Sequence, residues 1–227
     1  MKLMFTGADR PIDIARGLVS TVEVENPCLF TRMCRSLVSN GGEGVFEEFS
    51  LWDEAGNELA PSRVLFAVTD PLHLPWDSTE LSGKLLGMME VLLFEDEEAR
   101  RLFEDYGSRL RGFSQRLTHQ VECDYRFYVE WDIRRYLKSF GFSADRGDDL
   151  PYIDMLNNFL DYISDIQLEK VFVFVNLKTF LGKIEFEQFL DRVFFHQMQV
   201  LLLENKICDM DYDYERKVRI DQHFLEI

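Results

Sequence analysis

The chain is short of residues that break, bridge or anchor a fold. Among 227 residues there are 13 glycines and 6 prolines, so few punctuators interrupt it and long elements are expected. Four cysteines, Cys28, Cys34, Cys123 and Cys208, form no C-x-x-C pair and no dense framework. That excludes a disulfide scaffold and points to reduced thiols in a cytoplasmic protein. His73, His119, His196 and His223 lie far apart and share no spacing with a cysteine or with each other, so neither a zinc motif nor a nucleophile–base pair can be read. No apolar run approaches the roughly 18 residues of a membrane span. The start, MKLMFTGADRPID, turns polar too early for a signal peptide. Positive charge is scarce as well: 25 Lys and Arg face 41 Asp and Glu, a net charge of −16. Taken alone, that balance argues against adhesion to nucleic acid or anionic membrane.

What is plentiful is apolar mass. The chain is 46% hydrophobic and 14% aromatic, with 20 phenylalanines, more than a disordered chain carries. Residues 1–74 read mostly as strands with one helix. Lys2–Phe5 and Ile12–Ile14 flank a turn containing Gly7, Asp9 and Pro11, a hairpin signal. Leu18–Val24 follows as a strand. Asn26 before Pro27 is a helix start, and Leu29, Phe30, Met33, Leu37 and Val38 recur at helical spacing up to Gly41–Gly42. Val45–Trp52 and Val64–Val68 complete this part as strands.

Residues 75–140 change character. Asp77 and Glu80 fit a capping box, followed by an apolar stripe of Leu81, Leu85, Met88, Met89 and Leu92. After the acidic break Glu95–Glu98, Ala99, Phe103, Tyr106, Leu110, Phe113 and Leu117 are spaced by steps of 4 and 3, the rhythm of a helix–helix seam. Two helices joined by a tight turn predict an antiparallel hairpin. Arg100, Arg101, Arg109, Arg111 and Arg116 lie mostly off the seam, either as a solvated face or as a basic docking surface. Val121–Ile133 reads two ways. A strand places Glu122, Asp124, Glu130 and Asp132 on one face; a helix scatters them.

Residues 149–227 are α/β text. Asp149 and Pro151 open a helix with Ile153, Leu156, Leu160 and Ile163 on one side. Val171–Val175 and Val200–Leu203 are apolar strands joined by an amphipathic helix around Phe186–Phe194, a βαβ unit with parallel strands. Alternation returns in Val218–Leu225. The expected fold is α/β, with a P-loop-NTPase-like mixed sheet that lacks the Walker A motif. Its head is built from residues 1–74 and 141–227, and residues 75–140 form an inserted helical extension.

Parallel sheets take ligands beyond the carboxyl ends of their strands. Those ends read Glu25–Asn26, Thr69–Asp70, Asn176 and Glu204–Asn205. The first turn, ENPCLF, has neither glycine nor lysine, and VFVFV ends in Asn176 where a magnesium-holding aspartate would be expected, so the phosphate grip is missing. Carboxylates are the remaining chemical resource. CDMDYDYE begins like a calcium loop but has Tyr214 and Ile220 where an EF-hand needs Gly and Glu. It is either part of an oxygen-rich site or a solvated loop. Glu122, Asp124, Glu130 and Asp132 crowd like charges, for which a hard divalent cation is one remedy.

Five segments in order, STVEVENPCLFTRMCRSL, LFAVTDPLHL, KVFVFVNLKTFL, HQMQVLLLEN and RKVRIDQHFLE, resemble the CRISPR-associated adaptation proteins of type II-A systems, the family called Csn two. The resemblance spans essentially the whole chain. It implies a homotetrameric ring without ATPase activity that binds double-stranded DNA, favouring linear ends, requires Ca2+, and supports acquisition of new spacers alongside the CRISPR integrase and the effector nuclease. It places the metal ligands at Glu122, Asp124 and Glu130, with Asp132 continuing the face. It supports Arg32 as a DNA contact; Arg35 on the same helix, Lys138 near the return of the extension, and Lys178 and Lys183 after the apolar strand are added as basic residues on head elements. A ring that holds its cations inside reconciles DNA binding with the acidic balance. The rival functions are an acidic interaction module without nucleic acid, and a metal-dependent nuclease or degenerate nucleotide hydrolase.

Overall fold

A computed structural model describes residues 1–6, 10–39 and 46–222. The chain divides into two compact units, Met1–Pro75 with Arg146–Ile227, and Trp76–Asp145.

The first unit holds two sheets. β1 (Lys2–Phe5), β2 (Ile12–Asp13), β4 (Phe49–Trp52) and β5 (Glu58–Leu59) form a four-stranded sheet in the order β2-β1-β4-β5. Its recorded pairings are antiparallel, with Leu3 opposite both Ile12 and Leu51. The second sheet is parallel throughout. It comprises β3 (Leu18–Val24), β6 (Leu65–Val68), β7 (Val171–Val175), β8 (Gln199–Glu204) and β9 (Glu215–Ile220), ordered β6-β7-β8-β3-β9. Among the described residues the strands of the expected mixed sheet are divided: the hairpin strands pair antiparallel in one sheet, and the apolar strands pair in parallel in another. The hairpin's turn residues Gly7 and Asp9, Gly41–Gly42, Val45 and the end of Val218–Leu225 lie outside the described residues.

Local chemistry explains the elements around this sheet. α1 (Pro27–Val38) starts as its sequence requires: Asn26 Oδ1 accepts from Cys28 N at 3.0 Å and Leu29 N at 3.1 Å, and Pro27 needs no donor. Leu29, Met33 and Leu37 turn inward onto Val22, Val24, Val173, Leu201 and Leu203, in a core shared with Leu3, Ile14 and Leu51 of the antiparallel sheet. α6 (Tyr152–Asp165) and α7 (Lys183–Phe195) pack together, and Phe189 of α7 meets Phe174 edge-on at 6.0 Å between ring centres. The short helix α2 (Pro61–Val64) takes Val64 out of the strand read from sequence, leaving β6 to begin at Leu65.

The second unit contains α3 (Thr79–Glu95), α4 (Glu97–Thr118) and α5 (Ile133–Ser139). Ser78, rather than Asp77, caps α3, accepting from Leu81 N at 3.3 Å. Asp96 ends α3 and caps α4, accepting from Ala99 N at 2.9 Å. The seam on α4 does not close within the unit: Tyr106, Leu110, Phe113 and Leu117 are all more than half exposed. One close contact anchors α4. The Trp131 indole donates to Phe103 O at 3.0 Å and lies on Gly107, where a Cβ would come within 2.5 Å of the ring. Val121–Ile133 is neither of the two readings; it carries no strand, and helix begins only at Ile133.

Candidate functional site

The carboxyl-end region of the parallel sheet is the chemically densest part of the described chain. Alternation along β3 puts Val19, Thr21 and Glu23 on one face, and the parallel register places them beside Glu215, Lys217 and Arg219 of β9; Glu204 of β8 lies beside Glu23. Glu23 is 0% exposed and Glu204 3%, and the Glu215 side chain is fully buried. Buried carboxylates need cations or donors. Lys178, in the short helical turn Leu177–Phe180 after β7, supplies the central one. Its ammonium lies 2.5 Å from Glu215 Oε1 and 3.3 Å from Glu23 Oε1. Arg219 Nε donates to Glu23 Oε2 at 3.1 Å, and Thr21 Oγ1 donates to Glu215 Oε1 at 2.5 Å. Burial alone pulls the Lys178 ammonium pKa down, but the hydrogen bond and charge of Glu215, then those of Glu23, prevail and raise it.

The turns after β7 and β8 are tied to each other. Asn176 adopts a left-handed φ of 56°, and its Oδ1 accepts from Asn205 N at 3.0 Å. Lys178 N donates to Glu204 Oε1 at 3.0 Å. Burial pushes the Glu204 carboxyl up to about 7, opposed by that hydrogen bond and the Lys178 charge. The connection from β8 to β9, residues 205–214, is a non-helical strap. Lys217 Nζ donates to Cys208 O at 3.1 Å and also to Met210 O, and Arg219 Nη2 donates to Cys208 O at 2.6 Å. The place where an open α/β sheet receives a ligand is therefore filled by the chain's own ion pairs, and among the described residues no glycine-rich phosphate cradle stands there.

This network takes in one of the residues expected to contact DNA. Lys178 is drawn inward, with its side chain 13% exposed between two carboxylates, so its charge is committed to the fold. Arg32 and Arg35 do share the exposed side of α1, three residues apart. Arg32 pairs with Glu47 at 2.6 Å and Arg35 stacks over the Phe46 ring at 3.7 Å. Lys183 is exposed in the first turn of α7, 4.0 Å from Glu187, and Lys138 is exposed in the last turn of α5. Lys183 belongs to the α/β unit with the two arginines; Lys138 belongs to the helical unit.

The metal nominees are placed differently from a coordination cage. Glu122, Asp124 and Glu130 are exposed on an irregular segment. Asp132 caps α5, its Oδ1 accepting from Arg135 N at 2.9 Å. Glu130 and Asp132 line a hollow of about 380 Å³ that also contains Arg100, Arg111 and the Trp131 ring. Among the described residues, no group of three or more His, Cys, Asp or Glu is gathered to hold a metal ion. As placed, these four carboxylates form no preassembled cage for calcium. The acidic segment is braced by protein groups instead: Arg111 donates to Val129 O at 3.2 Å, and Arg134 pairs with Glu90 at 2.5 Å.

One feature escaped the reading of residues alone, and one was read without its full extent. The buried set Glu23, Glu204, Glu215, Lys217 and Arg219 had a signal, since glutamate inside STVEV and charge inside ERKVRI are unusual in strands. The other is the stretch Tyr106–Val121, which has no Asp or Glu and contains Arg109, Arg111 and Arg116. In so acidic a chain, this is a local reversal of sign.

A five-stranded parallel sheet covered by helices, joined to a helical insertion and without a phosphate loop, defines the class. The model of the CRISPR-associated protein family Cas_Csn2 matches residues 44–223, and the chain belongs to that family. It is similar to the CRISPR-associated protein Csn2 of Enterococcus faecalis, at 22% identity over 220 residues covering 94% of each chain. Its fold is similar to that in the crystal structure of Stu0660 of Streptococcus thermophilus. There the TM-score is 0.58 at 14% identity, covering 97% of this chain and 74% of that one. No helix among the described residues is long and apolar enough to cross a membrane.

Proposed function

We propose that this protein is a non-enzymatic, double-stranded DNA-end-binding component of CRISPR spacer acquisition, working in the cytoplasm as a homotetrameric ring beside the integrase and the effector nuclease. The observation that carries this reading is membership of a CRISPR-associated family over residues 44–223. The self-filled sheet edge supports the absence of nucleotide hydrolysis, because Lys178 occupies the space between Glu23 and Glu215. Clustered arginines on α1 and the acid-free part of α4 support phosphate contact despite a net charge of −16. Calcium dependence belongs to this reading as a requirement to be measured, since Glu122, Asp124, Glu130 and Asp132 form no preassembled cage.

Gel-shift titration of linear against closed circular duplex, with calcium and with chelator as separate arms, tests the reading. Binding to linear duplex, steeply weakened by salt, is expected. Loss of both Arg32 and Arg35 charges should lower affinity and flatten the salt slope by about 2. Absence of binding in every arm would favour an acidic protein-interaction module. Cleavage of the duplex would favour a nuclease.

A further inference from the structure

Of the three buried carboxylates on the parallel sheet, two are matched to cations and one is not. Glu23 touches Lys178 and Arg219; Glu215 touches Lys178, with Lys217 at 3.8 Å. Glu204 lies beside Glu23 in register, is 3% exposed, and has one backbone N–H, that of Lys178, as its partner. The three cations Lys178, Lys217 and Arg219 all lie on Glu23 and Glu215, so the buried Glu204, which touches none of their charged groups and sits beside Glu23, is the carboxyl for which ionisation is most costly.

We propose that Glu204 is a proton-binding site that latches the strap 205–214 onto the sheet. With Glu204 neutral, Lys178 stays between Glu23 and Glu215, leaving Lys217 and Arg219 to hold the carbonyl oxygens of Cys208 and Met210. Ionised Glu204 competes for the Lys178 ammonium. Glu23 and Glu215, short of one cation, then draw Arg219 and Lys217 inward and off the strap. Asp209 and Asp211, 97% and 94% exposed, lie near those same two cations at 3.9 and 3.4 Å and add to the competition. From α7, Phe186 packs edge-on against Tyr212 of the strap at 5.0 Å, and Glu187 adds negative charge near the Tyr212 hydroxyl. Burial pushes the Glu204 carboxyl up to about 7, in the neutral range.

A carboxyl raised from 4.5 to about 7 in the fold binds its proton more tightly folded than unfolded. The stability it contributes is full below about pH 4.5 and is lost as pH rises through about 7.

Hydrogen–deuterium exchange of peptides covering 205–214, in the full chain, tests the latch at about pH 6 and about pH 8 after correction for intrinsic rates. The wild-type strap should open about tenfold more at the higher pH, and Glu204→Gln should show the same low opening at both. Equal opening of the wild type at both values, or an unchanged rise in Glu204→Gln, overturns the proposal. Should the variant not fold, the wild-type unfolding midpoint decides: it should fall between about pH 5 and about pH 7.5, and a flat or rising profile overturns the proposal.

Discussion

The same kind of periodic sequence does different things in the two units. In the α/β unit, the stripe Ile153, Leu156, Leu160 and Ile163 of α6 is buried to 6% exposure or less. In the helical unit, the steps of 4 and 3 through Tyr106, Leu110, Phe113 and Leu117 leave side chains 60%, 52%, 51% and 51% exposed. Periodicity reports that a helix has an apolar face; it does not report whether the chain itself supplies the cover. In one unit α7 packs against α6 and the stripe is buried; in the other, α3 and the Trp131 indole on Gly107 touch α4 but leave its seam open.

Substitutions can break this contrast, starting with the largest effect. Phe174→Ala empties a site at 0% exposure between β7 and α7 and should cost about 3–5 kcal/mol in chemical denaturation. The matching change on α4, Phe113→Ala, should stay within about 0.5 kcal/mol. Equal losses would erase the distinction between the units. Lys178→Met leaves Glu23 and Glu215 without their shared cation and should cost about 3 kcal/mol, with an unchanged salt slope for DNA in the gel shift. A reduced slope would restore Lys178 as a phosphate contact.

Smaller effects sharpen the picture of the helical unit. Gly107→Ala pushes a methyl into the Trp131 ring and should cost about 1–3 kcal/mol, with a red-shifted tryptophan emission as the indole is displaced. Asn26→Ala and Asp132→Ala each remove a helix cap, and each should cost about 1 kcal/mol in thermal unfolding. If Asp132→Ala instead abolished calcium binding measured by calorimetry, its carboxylate would belong to a metal site as well as to the α5 cap.

What could be read from the residues follows the range of the interactions. Asn26–Pro27, the βαβ text around VFVFV and VLLLE, and the hairpin at Lys2–Phe5 are local patterns, and the structure repeats them. The capping residue of α3 shifted by one position because Asp77 and Ser78 are both competent caps and only the backbone path chooses between them. The division into two sheets was not legible, since alternation marks strands without saying which of them pair. Nor was the ion network, whose members lie as far apart in sequence as Glu23 and Arg219. Their meeting depends on the register of β3 with β9. Lys178 looked like any basic residue after a strand. Only the burial of its partners shows that its charge is spent.

The position of β3 in the sheet also sets an order of events at the ribosome. Leu18–Val24 is made early, yet both of its neighbours, Gln199–Glu204 and Glu215–Ile220, come from the last part of the chain. At ~5–20 residues per second, the roughly 180 intervening residues take about 9–36 s to synthesise. Throughout that interval the strand destined for the interior of the sheet has two open hydrogen-bonding edges. Its recorded pairings are all non-local, which makes sheet assembly slow and late. A nascent chain therefore depends on something to occupy those edges until its final strands emerge, and a product cut short before Gln199 is expected to precipitate rather than persist as a partly folded monomer.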